Sequence, residues 1–214
     1  MLTNQSGSLS PGRFANDELH EAARNKISVV KTMKFTEFEK LVQTEFANGV
    51  LQLFFPQIVY RREYLGQRYP GYEIGLAVKS CKFLFVWEEG GGVMIAPPSG
   101  RFENTSEGWF SLGRIICFVT NQPFIWESPY QHIPRDDQII QTLQAARKAV
   151  APYVSQVISL FSSDEKVADW IFNYEEYEDE QFRLKYPSFY ESYKQSKQKS
   201  KEKNNKSNIS KDVQ

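Results

Sequence analysis

The stretch IVYRREYLGQRYPGYEIGLAVKSCKFLFVWEEGGGVMI, residues 58–95, decides the fold. Tyr72, Ile74, Leu76 and Val78 alternate with Glu73, Gly75, Ala77 and Lys79, which predicts a strand with one wetter face. Before it, Gln57 to Tyr64 alternates Ile58, Tyr60 and Arg62 against Val59 and Arg61; after it, Lys82 to Glu88 is apolar on both faces. Beyond Gly90-Gly91-Gly92 a short strand, Val93 to Ala96, ends at Pro97-Pro98. The connections are too short for parallel crossovers, which need a dozen or more residues, so the segment predicts an antiparallel meander. Val50 to Phe55 reads equally as a strand or as a connection.

Helical spacing flanks this run. Phe35, Phe38, Leu41, Val42 and Phe46 form an amphipathic stripe, with Thr36 and Glu39 spaced as a capping box and Gly49 as a stop. After a polar loop, Ser99 to Glu107, the residues Trp109, Leu112, Ile115, Ile116 and Val119 predict a helix packed on the sheet. Asp136 to Phe161 predicts a longer one that Pro152 bends or splits, because the ring removes a donor and clashes with the preceding turn. Ser163 and Asp164 can cap a further helix reaching about Glu178, with Val167, Trp170, Ile171 and Tyr174 on one face. The expected fold is α+β: an antiparallel meander of four to five strands packed against helices, with a C-terminal helical extension.

At 214 residues with 41% hydrophobic and 14% aromatic side chains, the chain can bury one good core. The expected organisation is a weakly ordered N-terminal arm, 1–32, one domain over 33–193, and a disordered Lys-rich tail, 194–214, too polar to repay the entropy of ordering. Met33-Lys34-Phe35 reads like a translation start directly before the first strong helix. The 26 basic and 26 acidic side chains cancel, so no global field draws the protein to nucleic acid or an anionic membrane. Nucleic acid could be met only through the tail lysines, Lys194 to Lys211, and the apolar runs fall far short of the roughly 20 residues that span a bilayer. The N-terminus lacks the apolar region of a secretory signal, and two cysteines are too few for a disulfide framework, so the expected compartment is the cytoplasm.

No linear pattern carries chemistry. His20 and His132 have no carboxylate or thiol placed beside them by the sequence, and Cys81 and Cys117 lack the paired spacing of a zinc module. Cys117 reads as a core residue of a helix, and Cys81, at a turn between strands, as the more exposed thiol. Gly90-Gly91-Gly92 precedes neither a Lys-Ser/Thr pair nor a helix, so it reads as a hairpin turn and not a phosphate loop. Glu88 and Glu89, adjacent on a strand, point to opposite faces. No catalytic, cofactor-binding or metal-binding residue is assigned, and no cofactor is expected. The acidic segment Glu175, Glu176, Glu178, Asp179 and Glu180 precedes the lysine tail and reads as a solvated helix end. Tyr174, Tyr177, Phe182, Tyr186, Phe189, Tyr190 and Tyr193 read as docking residues ahead of base-stacking ones.

The order of elements, a helix FTEFEKLVQTEF, the meander, a helix WFSLGRIICFVT and a long helix DDQIIQTLQAARKAVAPYVSQVISLF, resembles that of small uncharacterised bacterial proteins, some of them similar to immunity proteins of toxin systems. The resemblance covers about Lys34 to Ser162 and implies a stoichiometric binding protein without catalytic residues; it transfers no site. The expected function is therefore non-catalytic binding of another protein, as an immunity-like or regulatory factor. The candidate interface is Tyr60, Arg62, Tyr64 and Arg68, since Tyr and Arg are enriched at interface hot spots. The alternative is an enzyme or small-ligand protein with a pocket between the sheet and the Trp109 helix, built on Glu73, Arg61 or Tyr60.

Overall fold

The computed structural model describes residues 33–65, 70–87, 92–124 and 135–195. The arm over 1–32, Arg68, His20, His132, Glu88, Glu89 and the tail from residue 196 lie outside the described residues. The chain divides at Met33, and the elements below belong to the unit that begins at Lys34.

The alternating run folds as the antiparallel meander expected from it. Strands β1 (Gln57–Leu65), β2 (Pro70–Val78), β3 (Cys81–Trp87), β4 (Gly92–Ala96) and β5 (Phe110–Ser111) lie side by side in chain order. The fifth strand is not the Val50 to Phe55 segment. That segment is the end of a helical stretch and a short 3-10 turn, Gln52–Phe54, and it leaves through Phe55 at a φ of 51°.

Register assigns every side chain to a face, because residues directly opposite each other in an antiparallel pair point the same way. Leu76, Phe83 and Ile95 are mutually opposite, as are Ile74, Phe85 and Val93. All of these are buried, and they make the face on which the helices pack. On the other face Gly75, Leu84 and Met94 are opposite one another, and Glu73 faces Val86. β1 carries one irregularity between Ile58 and Tyr60, a bulge at Val59, after which Tyr60, Arg62 and Tyr64 stand opposite Gly75, Glu73 and Gly71.

Helix α1 (Phe35–Val42) continues as a wider-turned π-helix over Gln43–Val50 and breaks at Gly49, whose backbone leaves helical angles. Phe46 in this stretch meets Phe85 of β3 with ring centroids 4.6 Å apart, and Phe38 meets Tyr72 of β2 at 5.9 Å. The start of α1 differs from the expected Thr36–Glu39 box: the Lys34 amide donates to Glu37 Oε2 at 2.9 Å, two positions earlier, because the helix begins directly after Lys34. That leaves Glu39 free of capping, and it accepts from Arg61 Nη2 of β1 at 2.9 Å.

Helix α2 (Leu112–Thr120) starts three residues after Trp109, so the indole precedes the helix instead of riding on it. Pro152 does split the long helix: α3 (Arg135–Val150) passes through a 3-10 turn, Ala151–Tyr153, into α4 (Val154–Leu160). α3 is tied to the π-helix by Arg147 Nε, 3.1 Å from Glu45 Oε2. Helix α5 (Asp164–Lys185) is capped by Ser163, whose hydroxyl accepts from the Lys166 amide at 3.2 Å, and runs seven residues past the expected end at Glu178. No helix among the described residues is long and apolar enough to cross a membrane.

Of the C-terminal aromatics, Tyr174 and Tyr177 dock on the domain, whereas Phe189 is 67% exposed. Trp170 and Tyr174 pack on Phe110, with centroids 5.4 and 5.7 Å away, and Tyr177 packs on Phe124 at 5.1 Å. The Trp170 indole donates to the Leu160 carbonyl at 3.0 Å, and Glu178 pairs with Arg114 of α2 at 2.6 Å. Past Tyr186, Tyr193 folds back to stack on Phe182 at 4.0 Å, within a helical turn over residues 190–195 that crosses the expected boundary of the tail.

Candidate functional site

On the face of the sheet turned away from α1 and α3, the loop 97–109 supplies the cover beside Tyr60. Alternation from the bulge onward puts the side chains of Tyr60, Arg62 and Tyr64 in one row on a nine-residue strand. Two glycines of β2 make room for the row. A methyl group on Gly71 would lie 2.4 Å from the Tyr64 ring, and one on Gly75 would lie 2.5 Å from Phe102 and 2.8 Å from the Tyr60 Cβ.

Phe102 comes from the segment read from sequence as a polar loop. Its ring stacks on Tyr60 at 5.1 Å with the planes 7° apart, and meets Trp109 at 5.3 Å. Phe102 and Trp109 close over Leu84 and Ala96, and Val86, Met94 and Tyr60 border this small second core. Two hydrogen bonds fasten the loop: Lys82 Nζ donates to the Gly100 carbonyl at 2.8 Å, and the Trp109 indole donates to the Arg101 carbonyl at 3.0 Å. Ser99 donates its hydroxyl to Asp164 at the start of α5, linking the loop to the helical extension.

Glu73 organises the polar part of the row. The Tyr60 hydroxyl donates to Glu73 Oε2 at 2.9 Å, and Arg62 Nη1 lies 3.7 Å from the same oxygen. The Arg62 guanidinium also sits 5.0 Å over the Tyr64 ring, a cation–π arrangement. Burial raises the Tyr60 phenol above its ordinary range, and the Glu73 carboxylate it binds adds to the effect. Tyr60 therefore stays a neutral donor, and its proton is held by a carboxylate whose charge the neighbouring guanidinium balances. This suits a rigid amphipathic contact surface better than proton transfer, because the raised Tyr60 phenol is not poised to lose its proton near neutral pH.

Of the residues named from sequence, Tyr60, Arg62 and Tyr64 come together, and Glu73 joins them through the register. Arg61 does not; adjacent on the strand, it points to the helical side and binds Glu39. Trp109 itself packs against Leu84, Ala96 and Phe102 of the second core. A separate polar cleft of about 420 Å³ lies on the loop itself, lined by Ser99, Gly100, Arg101, Asn104, Glu107 and Gly108, and contains none of Tyr60, Arg61 or Glu73. The exposure expected of the two thiols is reversed: Cys81 is buried and Cys117 is half-buried. Cys81 sits at the inward end of β3, opposite Val78, and burial pushes its thiol up to about 12. Among the described residues no group of three His, Cys, Asp or Glu is arranged to hold a metal ion.

Phe102 was the component that sequence reasoning missed. The available signal was a lone aromatic in an otherwise polar loop, together with glycines four apart on one strand. Compared with protein-family models, curated proteins and solved structures, the chain gives no match.

Proposed function

We propose that this chain is a non-catalytic protein-binding module, an immunity-like or regulatory factor of the cytoplasm, whose partner lands on the row Tyr60, Arg62 and Tyr64. The observation that carries the reading is the fixed Tyr60–Glu73–Arg62–Tyr64 arrangement on the less covered sheet face. Aromatic rings and a guanidinium held in place by a strand lose little entropy on binding, and these residue types dominate interface hot spots. Cys81 and Cys117 are not joined in a disulfide, a state that a reducing compartment preserves.

The test is capture of protein partners from native extract by the tagged full chain, followed by affinity measurement with the recovered partner. Arg62→Ala and Tyr64→Ala are each expected to weaken binding by roughly 30-fold, the equivalent of about 2 kcal/mol at a hot spot. Phe172→Ala, an exposed residue of α5, is the control expected to bind as wild type. Recovery of no protein partner at low salt would overturn the reading, as would a partner that binds both row variants undiminished.

A further inference from the structure

The sheet has two edges of different character. β5 is two residues long and runs directly into α2, whereas β1 is nine residues long and, among the described residues, pairs on one side only. A long edge strand presents a row of backbone donors and acceptors that another strand can use. Two of its apolar side chains are exposed, Val59 at 51% and Leu65 at 91%.

We infer that the occupant of this edge is a second copy of the chain, paired antiparallel through β1 about a two-fold axis at Arg62. A two-fold axis normal to the sheet keeps each side chain on its own face, so the axis must pass through a residue and not between two. Centred on Arg62, Arg61 stands opposite Glu63 of the second copy and Glu63 opposite its Arg61. Tyr60 then stands opposite Tyr64, and Val59 opposite Leu65, again twice each. Every charged, aromatic and exposed apolar residue of the seven-residue stretch VYRREYL meets a complement except Arg62, which meets itself.

Each Arg62 already has Glu73 at 3.7 Å and the Tyr64 ring beneath it, which offsets that one like-charge contact. Moving the axis by one residue places Glu63 against Glu63 or Arg61 against Arg61, and like charges directly opposite each other are unfavourable. Charges on an edge strand ordinarily discourage pairing; here their order, Arg-Arg-Glu, disfavours the two adjacent registers, while axes through Tyr60 or Tyr64 form no Arg–Glu pair at all. The bulge at Val59 ends the pairing at one limit of the stretch. The product is a continuous sheet in which two Tyr-Arg-Tyr rows share one face.

Analytical ultracentrifugation of the full chain from about 1 to 500 µM tests the inference, a range suited to a small interface. The expected result is a mass rising from 24.9 kDa toward twice that value. Leu65→Lys and Glu63→Arg are expected to weaken self-association at least tenfold while melting as wild type does, since both side chains are exposed. Under mild oxidation, Arg62→Cys is expected to form a disulfide-linked dimer beyond the wild-type background, because opposite Cα atoms in such a pair lie about 5 Å apart. Arg61→Cys mixed with Glu63→Cys is expected to cross-link where neither does alone. A monomer throughout the range overturns the inference, and so does a dimer that Leu65→Lys leaves intact or that cross-links in another register. Leu65→Lys keeps the Tyr60, Arg62 and Tyr64 side chains, so partner capture by that variant separates the proposed function from the pairing.

Discussion

Adding one methyl group at Gly75 sets two effects of opposite sign against each other. In a strand, Gly→Ala ordinarily stabilises by roughly 0.5–1 kcal/mol, because it reduces the freedom of the unfolded chain. At this position the new Cβ would lie 2.5 Å from Phe102 Cε1, 2.8 Å from Phe102 Cζ and 2.8 Å from Tyr60 Cβ. The Phe102 ring can tilt, but it is held between Tyr60 and Trp109, and the Tyr60 Cβ is fixed by the backbone of β1. Overpacking of this kind costs about 1–3 kcal/mol. The expected net effect of Gly75→Ala is thus a loss of about 1–2 kcal/mol, lowering Tm by roughly 2–4 °C per kcal/mol in a chain of this size. Urea unfolding followed by tryptophan fluorescence measures the loss. Repeating the substitution in a Phe102→Ala background isolates its cause. The hole left by the ring accepts the methyl, so the cost should fall by at least about 1 kcal/mol, a coupling typical of side chains in direct contact. A Gly75→Ala variant that is more stable than wild type, or an identical cost in both backgrounds, would refute the account of a glycine reserved for the Phe102 and Tyr60 rings.

Alkaline pH should destabilise the fold through Cys81. Its thiol moves from 9.0 to about 12 by burial, so between those values the folded state binds more protons than the unfolded one. The stabilisation is therefore complete below about pH 9 and lost as pH rises toward 12, with a ceiling of roughly 4 kcal/mol, and Cys81→Ala should flatten that limb of a stability-against-pH curve from urea melts. Tyr174 and Tyr177, also raised by burial, should leave a residual alkaline slope in that variant. Ser163→Ala removes the acceptor of the Lys166 amide at the start of α5 and should cost about 1 kcal/mol, whereas Ser163→Asp should restore most of it; equal stability of all three in chemical denaturation would contradict the cap.

The meander was readable because β2 and β3 bury alternate or all positions, and burial of that kind leaves a period of two in the sequence. The split at Pro152 and the cap at Ser163 were readable for a simpler reason: each is the work of one side chain on its own backbone. The fifth strand was not readable. Two residues carry no period, and Trp109 and Leu112 stand three apart, which imitates a helix although the indole is held by the Arg101 carbonyl before the helix begins. Cys81 was misread because position next to a turn suggests exposure, while the pairing with Val78 directs its side chain inward. In the candidate site, alternation alone aligned Tyr60, Arg62 and Tyr64. Their dependence on Glu73 needed the register, which a bulge at Val59 shifts by one residue, and no local pattern marks that bulge.

Strand order that repeats chain order has a kinetic meaning. Strands β1 to β4 each find their neighbour across a short connection, and only the loop 97–109 separates β4 from β5, so most of the sheet can grow by successive hairpins without closing a long loop. The pairings that demand long closures are those of the later helices: Arg147 to Glu45, Asp164 to Ser99 and Glu178 to Arg114. A chain emerging from the ribosome can thus lay down its sheet while the helices are still unmade, and the apolar face of β2 and β3 waits for α3 to arrive. The expected slow step of folding is then the closing of the C-terminal half over a sheet already formed, a phase that stopped-flow refolding of the full chain would time.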